Sequence, residues 1–353
     1  MSQPAAWLLS AYHTDSHAYW ADWLIRHLQD LEWHHLTLPG RHFRWRIRGT
    51  PLSWLDRLPH APPGLLVATS MVDLATLKGL HPGLARVPTL YYFHENQFAY
   101  PHSRQQHPSI DPQMVQLYGA LAADLVAFNS AYNRASFLQG VEQLARRLPD
   151  QVPNNLVARL ADKSRVLPVP IDPPGPAAEP QDDRLILWNH RWEYDKAPQI
   201  FCDAVERLLQ HDCTFKLALL GRRGEPPHPA LQHLRDVAKD RILTDHRLPQ
   251  QQYRALLRQA GIVVSSAIHE FQGIAMLEAT SAGARPLVPD GLCYPEQYPA
   301  VYRYRAGDAA ALAGSLQHWL NGNLPAAVDV SAWYSDRLLS DWNSTITDLL
   351  DSG

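Results

Sequence analysis

Residues 262–279 read IVVSSAIHEFQGIAMLEA. A β-branched apolar run, Ile262 to Val264, gives way to a polar loop from Ser265 to Gln272, and Gly273 then opens a helical pattern with Ile274, Ala275, Leu277 and Glu278. A strand that enters a helix through glycine aims unpaired backbone N–H groups and the positive end of a helix dipole at one point, which suits a phosphate. Glu270 in the loop and Glu278 in the helix bracket that point. Carboxylates repel a phosphate, so these two are expected to accept hydrogen bonds from neutral hydroxyls of a ribose and a sugar. The plain alternative is an ordinary strand–helix unit with a solvated loop.

The same alternation extends outward along the chain. Strand candidates fall at 6–12, 34–39, 65–70, 89–94, 124–130 and 164–171, then at 184–191, 215–221, 242–248, 261–266 and 284–289. Helical patterns lie between them, as in AYWADWLIRHLQDL (18–31), PQIFCDAVERLLQ (198–210) and QQYRALLRQA (251–260). Alternating β and α at this spacing predicts an α/β protein with parallel sheets covered by helices on both faces. The stretch 168–183, PVPIDPPGPAAEPQDD, is rich in proline and acid and reads as a linker. The expected organisation is an N-terminal domain over 1–172, a linker over 173–183, a second domain over 184–330 and a terminal helix over 331–353.

With 353 residues the chain is long enough for two domains with separate cores. No apolar segment approaches the roughly 18 residues a membrane span needs, and the N-terminal stretch lacks a basic leader region, so a cytoplasmic location is the expectation. Three scattered cysteines, Cys202, Cys213 and Cys293, offer neither a disulfide framework nor a zinc site. The formal net charge of −3 means that any nucleic-acid partner must be held by a local basic patch.

In the second domain, RLILWNHRWEYDKAP (184–198) places Arg191 and Lys196 just past a strand end. Two cations there suit a diphosphate, the arginine as a fork and the lysine as a point charge. FKLALLGRRGE (215–225) is another strand-to-loop element, with Gly221 at its turn.

In the first domain, TLYYFHENQFAYP (89–101) is a strand followed by His94, Glu95, Asn96 and Gln97. Four hydrogen-bonding side chains in a row are expensive to bury unless they bind something; the alternative is that they tie down a loop. RHFRWRIR (41–48) contains Arg41, Arg44, Arg46 and Arg48. Read as a strand, it places Arg44, Arg46 and Arg48 on one face and Phe43, Trp45 and Ile47 on the other. Those arginines would meet phosphates, and Trp45 or Phe43 would stack a base or anchor the core; a basic strand edge that blocks aggregation is the other reading. HSRQQHP (102–108) is a further acceptor candidate, and Asn129 and Ser130 end the strand DLVAFNS.

Glu270-Phe271-Gln272-Gly273 with Glu278 resembles the E-x7-E signature of retaining GT-B glycosyltransferases of the glycogen-synthase-like superfamily. Arg191 and Lys196 resemble that superfamily's G-R-x4-K element, with Trp188-Asn189-His190 in place of its glycine-rich approach. FHENQ-x-x-YP, LPGRHFRWRIRG (38–49) and NSAYNRASFL (129–138) are similar to the tRNA-queuosine mannosyltransferase family, over nearly the full length. In Tyr12-His13-Thr14-Asp15-Ser16-His17 only Ser16 and His17 match that family's Y-x-G-S-H loop, and the glycine is lost.

The resemblance implies a GT-B fold, two doubly wound Rossmann-like domains facing across a cleft. It implies a cytoplasmic enzyme that moves mannose from GDP-mannose to the cyclopentenediol of queuosine in tRNA-Asp, without a metal. The donor would meet Ser16, His17, Arg191, Lys196, Gly221, His269, Glu270, Phe271, Gln272, Gly273, Ile274 and Glu278, with residues 244–253 near the base. His94, Glu270, Arg191 and Lys196 would be the catalytic set. Arg41, Arg44, Trp45, Arg46, Arg48, Glu95, Asn96, Gln97 and Asn129 would meet the tRNA. A glycan- or lipid-directed transferase of the same fold, and a non-catalytic RNA-binding protein, are the competing readings. A histidine-based metal enzyme is disfavoured, because the 18 histidines show no ligand spacing within one helix.

Overall fold

The computed structural model describes residues 3–100, 109–173, 175, 180–211 and 213–351. It divides into two compact units, Met1–Pro170 with Asp336–Gly353, and Ile171–Ser335. The chain therefore changes unit at 170/171, within the proline-rich stretch and just ahead of the linker expected over 173–183, and the last helix returns to the first unit.

The first unit holds strands β1 (Ala5–His13), β2 (Glu32–Pro39), β3 (Leu65–Thr69), β4 (Thr89–Phe93), β5 (Leu125–Phe128) and β6 (Ser164–Val166). They form one sheet in the order β2-β1-β3-β4-β5-β6, every pair parallel. Around it run helices α1 (Asp15–His27), α2 (Phe43–Trp54), α3 (Leu74–Leu80), α4 (Asp111–Ala122), α5 (Ala131–Ala145) and α6 (Leu156–Asp162). Strands β3 and β4 are buried at every position, as expected of central parallel strands covered on both faces.

The second unit holds β7 (Asp182–Trp188), β8 (Lys216–Leu219), β9 (Ile242–Thr244), β10 (Ala260–Val264), β11 (Arg285–Pro289) and β12 (Arg303–Tyr304). Its parallel sheet runs β12-β11-β10-β7-β8-β9. Helices α7 (Pro198–Leu209), α8 (Pro229–Val237), α9 (Gln250–Gln259), α10 (Ile274–Ser281) and α11 (Ala309–His318) connect the strands. The order reverses between β7 and β10, so the loops after those two strands border the topological switch point, where open α/β sheets bind ligands. In the first unit the reversal falls between β1 and β3.

The last helix, α12 (Ser335–Asp351), packs in the first unit. Trp342 is fully buried, and its indole Nε1 donates to the Pro168 carbonyl at 3.2 Å. Its ring lies 5.4 Å from Tyr92 and 6.1 Å from Trp20, and Arg165 reaches Asp348 at 3.2 Å. No helix among the described residues is long and apolar enough to cross a membrane.

Two strand expectations shrink: 164–171 forms a strand only over Ser164–Val166, with one isolated bridge from Ile171 to Tyr334, and 242–248 only over Ile242–Thr244. One is overturned. Residues 43–54 form helix α2, not a strand. The F-R-W-R-I-R alternation fits period two over six residues. Over the longer segment, however, the buried set Arg46, Ile47, Thr50, Pro51 and Trp54 follows helical spacing. Trp54 and Ile47 join the core that covers β1 and β3, and that burial decides the outcome.

Candidate functional site

The loop after β10 is tied to the loop after β7. The Ser266 hydroxyl donates to the Lys196 and Ala197 carbonyls at 2.9 and 3.0 Å, and the amides of Ile268 and His269 donate to the Asp195 carbonyl. Ser265 and Tyr294 share a 2.7 Å hydroxyl pair, and the Gln297 amide holds the Gln272 carbonyl at 2.6 Å. Gly273 caps α10 in the left-handed region, with φ of +69°, a conformation that costs glycine nothing. The first-turn N–H groups of α10 lack intrahelical acceptors by the geometry of any helix. The strand–loop–glycine–helix expected over 262–279 is what forms.

The cations named from sequence meet the carboxylate named from sequence. The Lys196 ammonium lies 3.0 Å from Glu270 Oε2, 2.8 Å from the His269 carbonyl and 3.3 Å from Asp195 Oδ2. Its side chain is 8% exposed, so its three protons are spent on three internal acceptors. Arg191 is the exposed cation, its side chain 47% accessible. It reaches Glu193 at 2.7 Å and Asp195 at 3.2 Å. Asp195, buried, thus bridges both cations.

Burial alone would raise the Glu270 carboxyl; Lys196, with help from His190 and His269, overrides it and holds the group at about 2. Burial and the charge of Lys196 bring His190 and His269 down to about 4, so both imidazoles are neutral. The result is an ionised acceptor, two neutral rings and one accessible cation around the N-terminus of α10.

Glu278 has its own support. The Tyr253 hydroxyl donates to Glu278 Oε2 at 2.9 Å, and Asn189 donates to the same hydroxyl at 2.8 Å. Burial raises the Glu278 carboxyl, while the Tyr253 bond pulls it down. Gly221 sits with φ of +87°, and a Cβ there would lie 1.9 Å from the His190 carbonyl oxygen. Its role is to let the turn after β8 approach the loop after β7. Phe271 is buried against His269, ring centroids 4.6 Å apart, so only its backbone faces the loop. Ile274 is half-buried at the first position of α10.

In the first unit, His94 follows β4 and is 9% exposed. Its ring lies 4.2 Å from His17, edge-on to Trp20 at 4.8 Å and to Tyr92 at 4.7 Å. Burial, with His17 beside it, keeps His94 well below the ordinary histidine range, and its Nε2 has no partner among the described residues. The His17 Nδ1 is held by the Tyr12 carbonyl, and Ser16 is exposed in the first turn of α1.

The remaining polar residues after β4 split in two. Asn96 is fully buried: its amide donates to Asn133 and Ser136, and its oxygen accepts from the Phe98 and Ala99 amides. Asn129 donates to the His94 carbonyl and accepts from Asn133. Both side chains hold the loop that carries His94. Gln97 is buried and its backbone amide donates to Gln116. The Glu95 carbonyl accepts from Ser70 and Gln116, and its residue is half-buried.

The four arginines on and just before α2 part company. Arg41, Arg44 and Arg48 are exposed, with Arg48 paired to Asp73 at 2.8 Å, while Arg46 is 7% exposed. The candidate stretch 102–108 lies outside the described residues.

Asp195, Asn189 and His190 join the candidate second-unit site without a role assigned from sequence, and Tyr253 joins it in a role other than the one expected. Asp195 directly precedes Lys196, and Asn189 and His190 precede Arg191; adjacency to named cations was the available signal. Tyr253 lies within the stretch read as near the base, yet its hydroxyl serves Glu278. Among the described residues, no group of three or more His, Cys, Asp or Glu side chains is placed to hold a metal ion.

The family described as tRNA-queuosine alpha-mannosyltransferase N-terminal matches residues 5–171, and glycosyl transferases group 1 matches residues 183–321. A tRNA-queuosine alpha-mannosyltransferase of Drosophila melanogaster is 31% identical over 322 residues, covering 87% of this chain and 85% of its own. A GDP-mannose:cellobiosyl-diphosphopolyprenol alpha-mannosyltransferase of Xanthomonas oryzae pv. oryzae is 30% identical over 111 residues, 30% of this chain and 29% of its own. Among solved structures, sucrose-phosphate synthase from Thermosynechococcus elongatus superposes with a TM-score of 0.74 at 14% identity, covering 99% of this chain and 100% of that one. HepE from Anabaena in complex with UDP gives 0.69 at 15%, with the same coverage. These likenesses place the fold as GT-B.

Proposed function

The chain belongs to the tRNA-queuosine α-mannosyltransferase family, and on that premise we propose that it moves mannose from GDP-mannose to a cyclopentenediol hydroxyl of queuosine in tRNA-Asp. The observation that carries the donor half is the buried Lys196–Glu270 pair beside the glycine-capped start of α10.

In this reading the donor diphosphate takes the first-turn N–H groups of α10 and the accessible Arg191. Glu270, ionised, accepts hexose hydroxyls, and Glu278, oriented by Tyr253, accepts from the ribose. Lys196 acts chiefly by fixing Glu270 and by its field. In the first unit, His94 offers a neutral imidazole with a free Nε2 to a sugar hydroxyl.

The bond between the mannose C1 and the β-phosphate oxygen breaks, and the acceptor oxygen bonds to C1 on the same face. The acceptor proton passes to the departing phosphate oxygen. Charge accumulates on the leaving diphosphate, where Arg191, Lys196 and the helix dipole stabilise it. This scheme calls on no metal and on no separate protein base.

The test is release of GDP from GDP-mannose in the presence of tRNA with or without queuosine, with UDP-glucose as a control donor. Turnover requiring both GDP-mannose and queuosine supports the proposal. Turnover with any tRNA, or none, refutes it.

A further inference from the structure

Helix α2 carries a feature that the donor chemistry does not use. From Gly40 to Leu55 there are four arginines and one histidine and no aspartate or glutamate, in a chain of net charge −3. Within α2 the i, i+4 spacing sets Arg44 and Arg48 on one exposed face with Trp45 beside them, and Arg41 is exposed just ahead of the helix, before the left-handed His42. Neither Arg41 nor Arg44 forms an ion pair with a described residue. Beneath them Arg46 is buried beside Arg41 with its Nε unbonded among the described residues, so a further positive charge underlies the same turn. No acidic side chain offsets the first turn, whose dipole adds to that charge.

Trp45 is 54% exposed, whereas Trp7, Trp20, Trp23 and Trp54 of the same unit are buried. Its indole lies along the helix over Gly49: a Cβ on Gly49 would meet ring atoms of Trp45 at 2.4 to 2.8 Å. Glycine in a helix interior costs stability relative to alanine, and here it gives the indole a flat shelf. The indole rests over Gly49 while the residue stays 54% exposed, with Arg44 and the Asp73-paired Arg48 one turn apart on the same helix.

We propose that this face of α2 is a docking surface for single-stranded RNA, on which Trp45 stacks one base while Arg41, Arg44 and Arg48 hold the flanking phosphates. The proposal rests on the reading that the acceptor is a tRNA, and it names the surface and the mode. Separated cations around an exposed indole match a single strand, in which charge repeats along the backbone and bases are free to stack. A lipid surface would want apolar side chains around the cations; Leu52 and Leu55 are exposed beyond Arg48, but a polar arginine–indole face precedes them.

The experiment measures tRNA binding over a salt series, by anisotropy of labelled tRNA, for the whole protein and its variants. Arg41→Gln with Arg44→Gln should weaken binding by about tenfold and flatten the salt slope by about 1 to 1.5. Trp45→Ala should weaken it about fivefold or more, with Trp45→Phe intermediate. Gly49→Ala should favour the helix yet weaken binding, because it displaces the indole without removing it. RNA should quench Trp45 emission, read as the difference between wild type and Trp45→Phe.

Thermal melting of each variant separates surface effects from unfolding. Unchanged affinity and salt slope in the arginine pair would overturn the surface, even if the wild type transfers mannose to tRNA. So would binding of phosphatidylserine vesicles, rather than tRNA, that depends on Trp45. Arginine- and Trp45-dependent tRNA binding by a protein that transfers no mannose would uphold the surface and sink the enzymatic reading instead.

Discussion

The Lys196 ammonium lies 3.0 Å from Glu270 Oε2 in a site where the lysine is buried and the carboxylate nearly so. Breaking a buried pair from one side leaves an uncompensated charge, which typically costs about 3 kcal/mol or more. Lys196→Met strands Glu270 and leaves Asp195 with Arg191 alone. We expect a loss of about 3 kcal/mol in urea unfolding and loss of transfer. Lys196→Arg retains the charge but not the three-acceptor geometry, so it should recover stability better than activity.

The pH dependence of stability follows from three groups. His190 and His269 are neutral at about 4 in the folded protein, against about 6.5 when unfolded. Their stabilisation is complete above pH 6.5 and is lost as pH falls towards 4, on the order of 3 kcal/mol each at most. Glu270 at about 2 contributes above its ordinary value near 4.5 and loses that contribution between 4.5 and 2. Urea midpoints should therefore fall from pH 6.5 downward, and His190→Phe should flatten the upper part of that fall. An unchanged profile in that variant would contradict the burial of a neutral His190.

Tyr253→Phe removes the hydroxyl between Asn189 and Glu278. Glu278 then loses a hydrogen bond that favours its ionised form, so its pKa rises further. Donor KM should rise about 5- to 20-fold, on the scale of one or two kcal/mol, with kcat nearly unchanged. The acid limb of the KM profile should move to higher pH. Equal losses in kcat and in kcat/KM, with KM unchanged, would mean that Glu278 acts in the transition state and not in donor binding.

Trp342→Ala empties a fully buried indole site beside Tyr92, Trp20 and the Pro168 carbonyl. The expected cost is about 3 to 5 kcal/mol. Because Trp20 and Tyr92 also flank His94, transfer should fall in this variant even below its melting temperature.

Much of the candidate donor site is written locally. The strand, loop, glycine and helix of 262–279 are consecutive, and Arg191 and Lys196 stand in one loop, so a reading of neighbours along the chain finds them. Asn189, Tyr253 and Asp195 escaped because their roles depend on which strands become neighbours at the β7/β10 reversal, which is a property of topology. Asn96 and Asn129 looked like ligand contacts for the same reason. Asn133 on α5 lies 37 residues beyond Asn96, although it is only four residues beyond Asn129. The 43–48 alternation fits period two as well as it fits a helix, and only Trp54 and Ile47 reaching the core settles it. The terminal helix shows its length in sequence but not the unit it joins, because that is fixed by the pocket Trp342 fills.

The most direct test of the central claim is the mass of the nucleosides released from queuosine-bearing tRNA-Asp after incubation with the protein and GDP-mannose. The account predicts that queuosine gains the mass of one hexose with the wild type. It predicts no gain with Glu270→Ala, while that variant still binds tRNA. A hexose on a nucleoside other than queuosine, or unmodified queuosine after incubation with the wild type, would contradict it.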